Sequence, residues 1–310
     1  MIGPMERALF LHSLGGVADL PPAQVAVFAE HARERRFRAG EPLLRADEPA
    51  TAFHVIVDGA VRAAGGEYLD GAELGPRGSV GFLSMLGRRT EGVAAEAVED
   101  TVTLEFEDDV LHDILEDDFD LVDGLIRNLA RRTLRFRRLV PPDTYLAPLE
   151  GRFRSVERSF DLVERILLLR RPGSPFGRSS LDAVTQLARN TPEIHFEKGT
   201  TIWKSGDRSD YAVVLISGSV VCTTQWGLSR FRTGPGYPLG NLERFSRDPR
   251  WYTAVAETPV VGLRTDTDRL LDVLEDHFDM ALSLLEAMAR RLIRIQEETA
   301  EVRERDAAAA

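Results

Sequence analysis

Six histidines, one cysteine and a crowd of arginines are the residues of this chain whose chemistry could reach beyond packing. His12, His31, His54, His112, His195 and His277 never fall into His-x-His or His-x-x-x-His spacing, so no pair shares a strand or helix face in the way metal ligation needs. Cys222 stands alone, which rules out an internal disulfide or a cysteine cluster and fits a reducing, cytoplasmic setting. In its apolar surroundings it reads as a small strand residue. No Gly-x-Ser-x-Gly elbow, Walker loop or dinucleotide fingerprint occurs, and no Cys or His pattern suits haem or an iron–sulfur cluster, so the chain is expected not to be an enzyme and to hold no metal. Between Arg127 and Arg178 thirteen arginines meet five acids, in a chain of net charge −11. Those arginines read as a solvated helical face whose stems cover apolar surface. A docking surface for an acidic partner, or for the acidic remainder of the same chain, is the alternative.

The elements that must position any site come from a repeat. Residues 20–140 recur 159 positions later without a gap. Gly40 pairs with Gly199, Gly59 with Gly218, Gly75-Pro76 with Gly234-Pro235, and Gly81 with Gly240. Farther on, Leu115-Glu116-Asp117 matches Leu274-Glu275-Asp276, and Ala130-Arg131-Arg132 matches Ala289-Arg290-Arg291. Glycines shared in register mark turns made twice, and a period of this length describes whole domains in tandem rather than solenoid units. The expected layout is a first domain over 1–141, a helical linker over 142–178 and a second domain over 179–310.

Each repeat opens with a helix, over Pro22–Arg36 and Ser180–Asn190, with Ser180 as N-cap. Short apolar strands punctuated by glycine follow, such as Phe53–Val57 and Val213–Ile216. The pattern then changes from period 2 to period 3.6 after Glu107 and after Thr265. The fold class is therefore α+β, two tandem β-roll (jelly-roll-like) domains with flanking helices. In the last helix Leu285, Met288, Leu292, Ile295, Thr299 and Val302 recur at steps of three and four, matched by Ile126, Leu129, Thr133, Phe136 and Val140 up to Pro141-Pro142. A third helix is expected from Phe153 through Val163 to Leu167. The seam of the last helix suits packing inside its own chain or a homodimer. No stretch is long and apolar enough to span a membrane, and Met1–Leu20 lacks the form of a signal peptide.

The Phe-x-x-Gly turns (Phe37 to Gly40, Phe196 to Gly199), the strands ending in Gly59 and Gly218, the Gly-Pro turns and the cassettes at Gly81 and Gly240 together resemble the cyclic nucleotide-binding domain family, twice over. In that family the cassette reads Phe-Gly-Glu-Leu-Ala, with an Arg nine residues after the Glu and small residues following it. The resemblance implies that the Arg and a short helix N-terminus hold the cyclic phosphate while the Glu holds the ribose 2′-hydroxyl. The first repeat has Gly81-Phe82, with Phe82 in place of the Glu and Glu91 in place of the Arg. A carboxylate facing a phosphate in a poorly solvated pocket is repelled, so this cassette is degenerate and is expected to bind no cyclic nucleotide. The second has Gly240-Asn241-Leu242 with Arg250 nine residues after Asn241. Asn241 offers only a neutral hydrogen bond, Trp251 and Tyr252 crowd the positions after Arg250, and Thr253 stands where some members place a hydroxyl near the base.

These observations lead to a non-enzymatic regulatory or scaffold protein with degenerate pockets. The alternative is a stand-alone sensor binding cAMP or cGMP through Gly240, Asn241, Leu242, Arg250 and Thr253. No resident cofactor is expected. Only eight residues follow Val302, so a following helix-turn-helix is not expected. The expected partners are a protein or larger assembly and a second copy through the last helix, with no DNA and no membrane.

Overall fold

The computed structural model describes residues 3–14, 22–66, 68–89, 92–139, 159–171, 173–224 and 230–309. The first repeat opens with α1 (Pro4–His12) and α2 (Pro22–His31), then β1 (Arg33–Phe37), β2 (Pro42–Leu44), β3 (Ala52–Asp58), β4 (Val61–Gly65), β5 (Tyr68–Leu74) and β6 (Ser79–Val80). The short helix α3 (Phe82–Leu86) precedes β7 (Ala94–Ala97) and β8 (Thr101–Glu107), and α4 (Asp108–Asp117) and α5 (Phe119–Leu139) follow. After α6 (Leu162–Leu169) the second repeat runs through α7 (Leu181–Arg189), β9 (Glu193–Phe196), β10 (Thr201–Trp203), β11 (Tyr211–Ser217), β12 (Val220–Thr224), β13 (Arg230–Thr233) and β14 (Pro238–Leu239). It closes with α8 (Asn241–Ser246), β15 (Tyr252–Ala256), β16 (Val260–Asp266), α9 (Thr267–Asp276) and α10 (Phe278–Ala309).

The strands of each repeat form two four-stranded antiparallel sheets, ordered β1-β8-β3-β6 and β2-β7-β4-β5 in the first, β9-β16-β11-β14 and β10-β15-β12-β13 in the second. The repeats share more than strand order. The ladder slips between Pro42 and Leu44 in one and between Thr201 and Trp203 in the other, and again at Ile56/Asp58 and Leu215/Ser217. All four bulges obey the 159-residue shift read from the sequence. Gly81 and Gly240 stand at φ 88° and 78° as the residues before α3 and α8. The two tandem β-rolls of the α+β expectation are present. Each roll closes over a small apolar core, around Ile56, Val61, Ala63 and Val93 in the first and around Val213, Leu215, Val220 and Cys222 in the second.

One local expectation changes. The opening helix stops at His31, because Arg33–Phe37 pairs residue for residue with β8 rather than continuing to Arg36 as helix. A sheet edge supplies backbone partners that the Arg-Glu-Arg-Arg-Phe sequence does not advertise. Phe153 and Val156 lie outside the described residues, and the described part of that helix, α6, starts at Leu162. Its N-cap is Asp161, which accepts from Glu164 N at 2.9 Å while Glu164 answers to Asp161 N at 3.1 Å. The seam of α10 is covered within its own chain, one of the two arrangements its spacing suits. Leu285 and Leu292 are 0% exposed and Ile295 1%.

The chain divides into two compact units, one of residues 1–128 with 285–310 and one of residues 129–284. The division falls inside the two longest helices, α5 of 21 residues and α10 of 32. In the first unit Arg290 Nε donates to Gly87 O at 2.6 Å, and Arg89 pairs with Glu297 at 2.5 Å. In the second, Arg137 donates to Tyr237 Oη at 3.1 Å.

One buried histidine makes a prediction here. His54 sits in β3 at 2% exposure, with Nδ1 3.2 Å from Thr103 Oγ1 and the Phe37 ring edge-on at 5.6 Å. Burial, with Arg35 adding to it, lowers its pKa from 6.5 to about 4. A group depressed in the folded state stabilises above its unfolded pKa, and that stability is lost as pH falls from 6.5 toward 4. The loss amounts to about 3 kcal/mol. The register puts Val213 at the same place in the second roll. Urea unfolding of His54→Val at pH 7 and pH 4.5 is expected to show a markedly smaller acid loss than the parent. Equal losses in both would mean that His54 is not the group responsible.

Candidate functional site

The cassette of the first unit is short and apolar. Gly81 takes a left-handed conformation, and an added Cβ would meet Leu44 Cδ1 at 2.7 Å and Ala52 O at 3.2 Å, so the turn needs glycine. Phe82 then packs edge-on against Phe53 at 5.1 Å between ring centroids. Glu91 lies outside the described residues. Arg89, close to it in sequence, is held by Glu297.

The second unit gathers its candidates and then turns them inward. Arg250 is 1% exposed. Its Nη1 donates to Gly240 O at 2.9 Å, and its Nη2 donates to Tyr211 O. The guanidinium carbon lies 3.9 Å from the centre of the Trp203 ring. Gly240 makes room for this: a Cβ there would come within 2.2 Å of Arg250 Nη1 and 2.8 Å of Trp203 Cη2. Asn241 begins α8 half-buried, and Leu242 is buried at 6%. Thr253 Oγ1 accepts from Ser205 N at 3.1 Å, so it fastens β15 to the loop after β10.

Aromatic side chains occupy the roll around this arginine. Trp203 lies 5.9 Å from Tyr252, Phe231 stacks on Trp251 at 5.9 Å, and Phe231 meets Tyr252 at 5.4 Å. Tyr252 is 3% exposed and belongs to the same core as Cys222. In the first repeat the matching positions hold Leu44, Ala72, Gly92 and Val93. The filling is thus particular to the second roll.

Sequence reasoning passed over Glu243, which matches Ser84 in the first repeat. It is 2% exposed, and Ser209 Oγ and Ser246 Oγ donate to its backbone carbonyl at 3.0 and 3.1 Å. Burial pushes its carboxyl above the usual range, against its own backbone N–H and the positive charges of Arg250 and Arg137. A carboxyl raised in the folded state stabilises most below its unfolded pKa, near 4.5, and less as pH rises through the folded value. Glu243→Gln is therefore expected to unfold at higher urea than the parent at pH 7 and at a similar urea concentration near pH 4. A variant less stable than the parent at pH 7 would show that the charged form is the one the fold favours. The signal was an acid where the 159-residue shift puts Ser84 in the first repeat, inside a short helix that starts at Asn241.

Comparison with known proteins gives this geometry its family. The model of the cyclic nucleotide-binding domain matches residues 34–118 and 193–277, more than half of the chain. The chain belongs to the cyclic nucleotide-binding domain family. A CRP-like cAMP-activated global transcriptional regulator of Mycobacterium tuberculosis is 28% identical over 124 residues, covering 39% of this chain and 55% of that protein. This chain thus spans about half the length of the curated relatives it matches. The N-terminal domain of a transcriptional regulator from Streptomyces coelicolor A3(2) is 29% identical, with 40% of this chain and 91% of that one covered and a TM-score of 0.37. The regulatory subunit of a cAMP-independent protein kinase A from Trypanosoma brucei is 15% identical, with 91% and 86% covered and a TM-score of 0.34.

The partner expectation is corrected on these grounds. It excluded DNA, whereas the curated relatives are transcriptional regulators, so neither the acidic net charge nor the length after Val302 removes that class. Among the described residues no helix is long and apolar enough to cross a membrane.

Proposed function

We propose that this chain is a non-enzymatic regulatory or scaffold protein whose second cyclic nucleotide-binding domain is held closed by its own side chains. The observation that carries this reading is Arg250. The residue at the family's phosphate-binding spacing spends its donors on Gly240 O and Tyr211 O and its face on Trp203, at 1% exposure. To meet a cyclic phosphate it would have to break two charge-assisted hydrogen bonds, each worth about 1.5–3 kcal/mol, inside a core packed with Phe231, Trp251 and Tyr252. Asn241 in place of the family's Glu lowers the return further, since a neutral amide gives up the charge-assisted bond to the ribose. In the first domain Phe82 takes the Glu position and packs on Phe53. The transcriptional role of the curated relatives supports a regulatory protein over a catalytic one.

Ligand linkage tests the reading. A ligand bound at 100 times its Kd stabilises by about 2.7 kcal/mol, which raises Tm by several degrees. The melting temperature of the full chain is expected to change by less than about 2 °C in 0.1 mM cAMP or cGMP, a concentration about 100 times a Kd near 1 µM. A rise of several degrees with either nucleotide would favour the sensor alternative.

A further inference from the structure

The second unit has a cavity of 140 Å³ on the outer side of α8, bounded by the segment after α6, by β11, by α9 and by the start of α10. It is separate from the roll interior. From β11 it takes Ala212 and Val214, whereas Val213 and Leu215 of the same strand belong to the inner core. Leu169, Phe176, Leu270 and Leu284 make its walls apolar. Two arginines, Arg244 and Arg171, line it as well.

Arg244 is the unusual one. It is 2% exposed, its Nη1 donates to Thr265 O at 2.5 Å, and its Nε has no hydrogen-bond partner. Among the described residues no carboxylate pairs with it within 4.0 Å. Asp266 and Asp268 act on it from farther away, while burial and the neighbouring Arg250 lower its pKa to about 9. Arg171 donates to Gly236 O, and burial lowers its pKa as well. A buried guanidinium without a counter-ion costs several kcal/mol, a cost that an anion within reach would offset.

We propose that this cavity binds a small carboxylate with an apolar body of about six carbons, the carboxylate resting on Arg244 with Arg171 as the second cation. A planar carboxylate matches the fork of a guanidinium, and apolar walls exclude a bare, strongly hydrated phosphate. The volume is close to the roughly 150 Å³ of cavities that hold benzene. The cavity shares Asn241 with the nucleotide cassette, but its two arginines, Arg244 and Arg171, are not among the nucleotide-site residues.

Calorimetric titration of the full chain with benzoate, against benzyl alcohol as its neutral counterpart, tests this. Benzoate is expected to bind saturably with a Kd of about 10⁻⁴ M, at least tenfold more tightly than benzyl alcohol. Arg244→Met is expected to abolish that preference. Because it also removes the Thr265 bond, Arg171→Leu, at a half-buried position, serves as the second variant and is expected to weaken benzoate about threefold to tenfold with the circular dichroism unchanged. No saturable benzoate binding up to about 10 mM, equal affinity for the two compounds, or benzoate affinity unchanged by Arg171→Leu would each overturn the proposal.

Discussion

Arg250→Met is expected to lower the stability of the second unit by about 3–5 kcal/mol, a drop in Tm of about 10 °C. The substitution keeps most of the apolar stem and removes the guanidinium. The buried Gly240 O and the part-buried Tyr211 O then lose a charged donor, and Trp203 loses the cation 3.9 Å above its ring. The bonds account for most of the loss, and the cation–π contact adds about 0.5–2 kcal/mol. Glu243 also loses one of the positive charges that oppose its neutralisation. An arginine kept free for a ligand would behave otherwise, since surface substitutions usually stay within about 0.5 kcal/mol. Urea unfolding followed by tryptophan fluorescence reads the difference directly. A change below about 0.5 kcal/mol would assign Arg250 to ligand capture rather than to the core.

The second large effect is expected at a turn. Gly218 stands at φ +82°, and a Cβ there would lie 2.2 Å from Pro259 O and 2.9 Å from Val260 Cα. Both are backbone atoms and cannot swing aside as a side-chain tip would. Left-handed strain of about 1–2 kcal/mol adds to an overpacking cost of about 1–3 kcal/mol, so Gly218→Ala is expected to cost about 4 kcal/mol. Gly199, at φ +86°, has open space where its Cβ would go, and Gly199→Ala is expected to cost only about 1 kcal/mol. The first repeat supplies an independent pair. Gly59 faces Thr101 Oγ1 at 2.5 Å and Asp100 O at 2.7 Å, and Gly40 faces nothing within 4 Å. If the two repeats make the same turns, Gly59→Ala and Gly40→Ala will rank as their counterparts do. Equal costs for Gly218→Ala and Gly199→Ala would contradict this account of the turns.

Much of the fold was legible because glycines and Gly-Pro pairs are tied to backbone geometry, and backbone geometry is what the repeat conserves within this chain. The shift that pairs Gly81 with Gly240 also places both helix starts and all four bulges. The strand at Arg33–Phe37 was not legible, since its five residues carry no apolar alternation and its conformation is set by β8. The seam of α10 could be read as apolar but not assigned a partner. A period of three and four buries Leu292 equally well inside one chain or between two.

At the site, spacing located Arg250 but not its direction. An arginine nine residues after Asn241 can reach outward to an anion or inward to carbonyls, and the choice depends on what else fills the roll. That information lay in the comparison of the two repeats: Leu44, Ala72, Gly92 and Val93 in one stand where Trp203, Phe231, Trp251 and Tyr252 stand in the other. Trp251 and Tyr252 were read as crowding the pocket, while Trp203 and Phe231 were missed because they come from β10 and β13, far from the cassette in sequence. Arg244 was missed for a similar reason. That Asp266 and Asp268 act on it only from a distance is a property of packing, and neighbouring acids in the sequence such as Glu243 conceal it.

Isothermal titration of the purified full chain with cAMP and with cGMP bears most directly on the claim that the second domain is closed by its own side chains. The account predicts no saturable binding at the first domain and, at the second, a Kd no tighter than about 10⁻⁴ M for either nucleotide. A Kd below about 10⁻⁶ M that disappears in Arg250→Ala would contradict it and make this chain a cyclic-nucleotide sensor.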